Sequence, residues 1–144
     1  MNVYTIGFAG KSAERFFGLL KDNKVKRVID VRLRPYGQLA GFAKKNDLEF
    51  FLSRLIDCGY VHLPQLAPTD EILKSYRDNK NWDEYVSRFT TLMTERNIPR
   101  DLDKALFQSA CLLCSEAEPD YCHRRLIAET LQANWIDVAI HHLG

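Results

Sequence analysis

The chain has 144 residues, enough for one ordinary domain with a core of its own and no staples. Its 20 basic and 19 acidic residues leave a formal net charge of +1, so it lacks the basic excess on which non-specific nucleic-acid binding rests. No apolar run nears the roughly twenty residues that span a bilayer, and Met1 to Ile6 read as strand, not as a charged leader. A cytoplasmic protein is expected, with Cys58, Cys111, Cys114 and Cys122 as free thiols, some packed and some reactive or metal-bound.

Val3 to Ile6 reads as a first strand that runs through Gly7 and Gly10 into a turn. Ser12 is placed to cap a helix with Phe16, Phe17, Leu19 and Leu20 as its stripe, and Asp22-Asn23 ends it. A glycine-bearing strand-to-helix turn can cradle an anion, or it can simply be tight. Val25 to Val31 forms a second strand, β-branched at Val25, Val28, Ile29 and Val31. Asp30 falls inside it and needs a partner, either loop amides or Arg32 or Arg34. The same position is the ligand-side edge of a parallel sheet, and the two readings are compatible.

From Gly37 to Asn46 the chain reads as loop, where Phe42 either pins the segment to the core or lies against a flat ligand. Asp47 opens a helix with Phe50, Phe51, Leu55 and Ile56 inward, ended by Gly59, with Cys58 as small-residue packing. Tyr60 to Leu63 is a third strand stopped by Pro64, and His62 on it is a satisfied edge histidine or a ligand-side group. Thr69-Asp70 begins a helix through Tyr76. After a polar gap, Trp82 to Arg96 forms another, whose Trp82, Tyr85, Val86, Phe89, Leu92 and Met93 at helical spacing belong to the core. Asn97-Ile98-Pro99 stops that helix, and Asp101 to Gln108 holds one further short helix. Ala110 to Cys114 is a fourth strand, a helix follows Pro119 as far as Asn134, and Ile136 to Leu143 makes a fifth strand. Strands that alternate with helices and show no polar/apolar alternation predict an α/β fold. The expectation is a single domain over residues 1–144, with a mostly parallel sheet of about five strands and helices on both faces.

The chemistry gathers at one junction, Ala110 to Leu131, where a strand end feeds a helix start. Open α/β sheets hold their ligands at such places. Cys114, Glu116, Cys122, His123 and Arg124 all fall there. Arg124, Ile127, Ala128 and Leu131 share one helix face and His123 flanks it, so His123 and Arg124 point to the upper edge of the sheet. Cys122 lies well round from that face, towards the adjoining loop or solvent, in a first turn that favours a thiolate.

Three readings are open. In the catalytic one, Cys122 or Cys114 is the nucleophile, His123 or Glu116 handles protons, and Arg32 or Arg124 grips an anion. The layout is similar in general form to thiol-dependent phosphatases and sulfurtransferases. However, the loop has no glycines to wrap a phosphate, and its Glu116, Glu118 and Asp120 repel an oxyanion, which counts against a phosphatase. In the metal reading, Cys114, Cys122 and His123 bind zinc or iron, completed by Glu116, Asp30, His141 or His142. Adjacent Cys-His ligands at a helix start are expected to diverge, which weakens it. In the third, the cysteines are packing and the charges form a structural polar network.

These residues resemble the domain of unknown function 488 family of small bacterial and archaeal proteins. The matching elements are Thr5-Ile6-Gly7, Asp30-Val31-Arg32 with Pro35, Phe42, Tyr60 to Leu66, Leu113-Cys114-Ser115-Glu116 with Pro119, Cys122-His123-Arg124, and the closing strand with His141. Two departures stand out. Phe8-Ala9 replaces the His-Ser that often follows the first Gly, and Ala67-Pro68 replaces a Gly-Gly pair after the third strand. The resemblance implies the fold and the site but no established reaction.

The expected catalytic set is Cys114, Glu116, Cys122, His123 and Arg124, with Asp30, Arg32 and Phe42 as substrate-binding groups. The expected function is an enzyme, or former enzyme, with its polar site at the C-terminal ends of the strands and a small anionic or nucleotide-like substrate, because two arginines and a stackable aromatic lie nearby. One alternative is a non-catalytic nucleic-acid module gripping through Arg27, Arg32, Arg34, Lys44 and Lys45, with Tyr36 and Phe42 interleaved; its binding would weaken steeply with salt. The other alternative is a zinc- or iron-binding protein.

Overall fold

A computed structural model of the chain describes residues 1–144, of which residues 38–40 contribute backbone only. The strands are β1 (Asn2–Gly7), β2 (Arg27–Asp30), β3 (Gly59–His62), β4 (Ala110–Cys114) and β5 (Ala139–His142). The helices are α1 (Ala13–Asp22), α2 (Lys45–Ile56), α3 (Asp70–Asn79), α4 (Trp82–Glu95) and α5 (His123–Asn134). All strands pair in parallel, in the order β3-β2-β4-β1-β5.

β4 runs through the middle and is buried at every residue, which is why its sequence is a continuous apolar run without alternation. Ala110, Leu112 and Cys114 face one core layer, where Ile72 of α3, Tyr85 and Phe89 of α4, and Ile127 and Leu131 of α5 pack. Cys111 and Leu113 face the other layer, with Phe16, Phe17 and Leu20 of α1 and Leu48 and Leu52 of α2. The connections leaving β1 and β2 thus cross one face, whereas those leaving β3 and β4 cross the opposite face. At the C-terminal end of β4 the chain departs to one side and both neighbouring strands depart to the other. That divergence opens a crevice.

Ser12, Thr69 and Asn81 cap α1, α3 and α4, each accepting from a backbone N–H in the first turn. Some boundaries differ from the sequence expectation. α2 starts at Lys45, ahead of Asp47, and ends on Asp57 in a left-handed conformation, ahead of Gly59. Residues 101–108 hold only a 3-10 turn, Lys104–Phe107, because the Asp103 side chain caps it at Ala105. Phe42 settles as the pin of its loop, with its ring 5.1 Å from Phe16 and 5.7 Å from Phe17. Among the described residues, no helix is long and apolar enough to cross a membrane.

Candidate active site

Asp30, the last residue of β2, is fully buried and fully engaged. Its carboxylate accepts two hydrogen bonds from the Arg32 guanidinium, at 2.9 and 2.7 Å, and one from the Arg32 backbone N–H at 3.1 Å. The Tyr60 hydroxyl donates to the same carboxylate at 2.6 Å, and burial together with that charge pushes the tyrosine well above its ordinary range. Arg32 also donates to the Ala43 carbonyl at 2.7 Å and lies over the Phe8 ring. A buried pair of this kind adds modest stability when whole, but leaves an orphaned charge when broken. Asp30→Asn is expected to lower unfolding free energy by about 3–5 kcal/mol, read by urea denaturation. An unchanged midpoint would show that Arg32 is satisfied elsewhere.

At the end of β4 the backbone turns through Ser115 to Tyr121 and enters α5. Cys122 is the N-cap of α5, with extended backbone angles (φ −132°, ψ 139°), whereas His123 is the first helical residue. That change of conformation between neighbours makes their side chains converge. The Cys114 and Cys122 thiols and a ring nitrogen of His123 all lie within 4.8 Å of one another. The expectation that adjacent Cys-His side chains would diverge is corrected here, and so is the exposure of Cys122, which is only 3% exposed. A helix periodicity extended back to Tyr121 places Cys122 on the wrong side. Its capping conformation brings it inward.

His123 has a fixed tautomer. Its Nε2 donates to the Val31 carbonyl at 2.7 Å, since a carbonyl only accepts, which leaves Nδ1 facing the Cys114 sulfur at 3.7 Å. The two thiols share one ionisation unequally. Cys114 is held below the ordinary thiol range, chiefly by a hydrogen bond from Cys122, against the cost of burial, with help from the Ser115 and Glu116 amides and the Arg124 charge. Cys122 is pushed far up by that same hydrogen bond and by burial. Cys114 is the thiol that ionises. Burial pushes Cys58 up to about 11 and Cys111 higher still, so both are inert packing.

Arg124 has no carboxylate partner among the described residues, although its side chain is completely buried. Its guanidinium donates to the Glu116 carbonyl at 2.5 Å, the Ala117 carbonyl at 3.3 Å and the Thr5 hydroxyl at 3.3 Å. It braces the loop that follows Cys114 from behind. Neither Arg124 nor Asp30 lines the crevice.

The crevice itself is a pocket of about 260 Å³. Cys114, Ser115, Glu116 and His123 form one side and Arg32 to Arg34 another, with Pro68, Leu73, Tyr76, Tyr85 and Tyr121 completing the wall. The structure therefore brings Cys114, Cys122, His123 and Glu116 together, with Arg32 at the border. Asp30 and Arg124 stand behind them as supports. Phe42 sits with Phe16 and Phe17 in the other core layer, so its assignment as a substrate-binding residue is corrected. His62 donates from Nε2 to the Arg32 carbonyl at 2.8 Å and reads as a satisfied edge histidine. His141 stacks on Tyr4 and His142 bonds Thr5, so neither completes the Cys-His cluster. Tyr85 of α4 belongs to a stripe that packs as core, and Tyr76 stands near the end of the helix before it. The one signal for them was that a buried tyrosine needs a partner for its hydroxyl.

The fold and the cluster define a class: an α/β protein with a cysteine–histidine centre at the topological switch point of a parallel sheet. The family model described as Domain of unknown function DUF488 matches residues 12–131, and the chain belongs to that family. No curated protein matches the chain, and no solved structure matches it.

Proposed function

We propose that the chain is a thiol-dependent enzyme in which Cys114 attacks an electrophilic carbon of a small molecule held in the pocket, with His123 exchanging the proton. One observation carries this reading. The thiol of Cys114 opens onto the pocket and faces the free nitrogen of a histidine whose other nitrogen is tied to Val31. Both arginines counted towards an anion are committed inside the fold, and Glu116 adds a carboxylate to the wall. The wall of Tyr76, Tyr121, Leu73 and Pro68 favours a flat, nucleobase-sized body over a bare phosphate. Free cysteines of this reactivity suit a reducing compartment.

The nucleic-acid reading has weaker support. Arg27 is tied to the Leu106 carbonyl, Arg32 to Asp30, Arg34 to Asp70 and Lys44 to Asp47, so the basic segment is not an open cationic stripe. The metal reading gains support from the convergence of Cys114, Cys122 and His123. A Cys-Cys-His set with His123 oriented by a carbonyl would hold a soft divalent ion such as zinc and leave one position open to the pocket.

The pH dependence of iodoacetamide alkylation, mapped to each cysteine by mass spectrometry with and without a chelator, separates these readings. Cys114 is expected to react first, with a midpoint below the roughly 8.5 of an unperturbed thiol, while Cys58 and Cys111 stay inert. His123→Ala is expected to slow it. Reaction that appears only after chelation assigns the cluster to a metal. Inertness of Cys114 until unfolding ends the nucleophile reading.

A further inference from the structure

The pocket holds a polar group that the cysteine–histidine pair leaves unused. Tyr85 of α4 is 4% exposed, and its ring is fixed by stacking on Trp82 at 4.9 Å and Phe89 at 6.1 Å, with Tyr76 edge-on at 5.3 Å. Its hydroxyl makes no hydrogen bond to any described residue, yet it is not sealed in the core. It opens into the pocket, whose wall it shares with Cys114, Ser115, Glu116 and His123. A phenol placed there has its donor free for a ligand in the pocket. Burial first, then the charge of Cys114, holds this hydroxyl protonated. It is a fixed donor beside a thiolate.

We propose that Tyr85 donates a hydrogen bond to the oxyanion that forms when Cys114 adds to a carbonyl carbon, so that the substrates are small esters or amides with a flat body. The proposal rests on Cys114 as the nucleophile. The Cys114 thiol first gives its proton to Nδ1 of His123. The thiolate pair then forms the S–C bond, and the carbonyl π pair moves onto oxygen, where the Tyr85 O–H holds it. Re-formation of the carbonyl breaks the bond to the leaving group, which takes the proton from His123. Water then adds to the thioester while His123 takes its proton, and the S–C bond breaks to release the acid and restore the ion pair. No oxidant or reductant enters.

The test compares two probes on the whole chain. Iodoacetamide reacts at a saturated carbon and forms no oxyanion, whereas p-nitrophenyl acetate passes through one. Tyr85→Phe keeps the ring stack and removes only the hydroxyl. It is expected to slow acetylation of Cys114 by about a hundredfold while leaving alkylation unchanged. The thioester carbonyl stretch of the acetylated protein should lie at lower frequency in the parent than in Tyr85→Phe, a readout that a merely structural tyrosine does not move. Equal losses with both probes, or none with either, overturn the role of Tyr85 and leave the nucleophile standing. A Cys114 inert to both probes in the parent chain overturns the nucleophile and, with it, this proposal.

Discussion

Gly7→Ala is expected to cost at least about 3 kcal/mol of stability and to abolish the selective reactivity of Cys114. Gly7 ends β1 and pairs with Cys114 across the sheet. A Cβ there would stand 1.6 Å from the Glu116 carbonyl oxygen and 2.5 Å from its carbon, with Arg124 Nη1 at 3.0 Å. These are backbone atoms, and they have nowhere to go. Arg124 grips the Glu116 carbonyl from behind, while the Phe8 and Ala9 amides hold the Cys114 and Ser115 carbonyls at 3.3 and 3.0 Å. The loop is thus stitched to the continuation of β1 at consecutive residues. A methyl group at position 7 forces the strand and the loop apart, and the Ser115 and Glu116 amides then leave the sulfur they stabilise. Urea unfolding and native-state alkylation read the two effects. A variant with the parent's midpoint and a fast Cys114 would mean that the loop relaxes freely.

Much of this was legible in the residues because the apolar run of β4, the cap at Ser12 and the alternation of strands with helices each have one local cause. The junction was legible for the same reason: reactive side chains stood next to a strand end. The orientation of Cys122 was not, because a single residue at the N-cap leaves the helical period, and its side chain points where the preceding loop sends it. Arg124 looked like a substrate clamp, since nothing local reveals that its acceptors are the carbonyls of a loop seven and eight residues earlier and a hydroxyl on β1. Asp30 and Arg32 could be paired from their spacing, but Tyr60, the third member, arrives from a neighbouring strand. Tyr85 and Phe42 show the converse error. The stripe of α4 is core along most of its length, yet one of its rings ends at the pocket. An isolated loop aromatic, the natural candidate for stacking on a ligand, packs half-buried against α1 instead.

Arg124→Met is expected to lower unfolding free energy by about 3 kcal/mol and to move the alkylation midpoint of Cys114 to higher pH. The methionine fills much of the same space, so the loss falls on two stranded loop carbonyls, while the Thr5 hydroxyl keeps its bond to His142. Part of that cost is offset, because the parent buries a cation with no carboxylate beside it. The field of this charge reaches the site and its surroundings. After burial, it is the next cause that lowers both Lys11 and His142, and it favours the thiolate at Cys114. The direction of the shift follows. Removing a cation raises the pH at which the thiolate forms, so alkylation near neutrality slows although the maximal rate at high pH stays. Cys122→Ala should move the midpoint further still, because the hydrogen bond from Cys122 is the larger cause. Arg124→Lys keeps the charge but offers one ammonium where three acceptors lie apart, so it should retain more of the midpoint than of the stability. If Arg124→Met leaves the midpoint in place while destabilising the fold, the arginine is a brace alone, and the depressed thiol belongs to Cys122 and the loop amides.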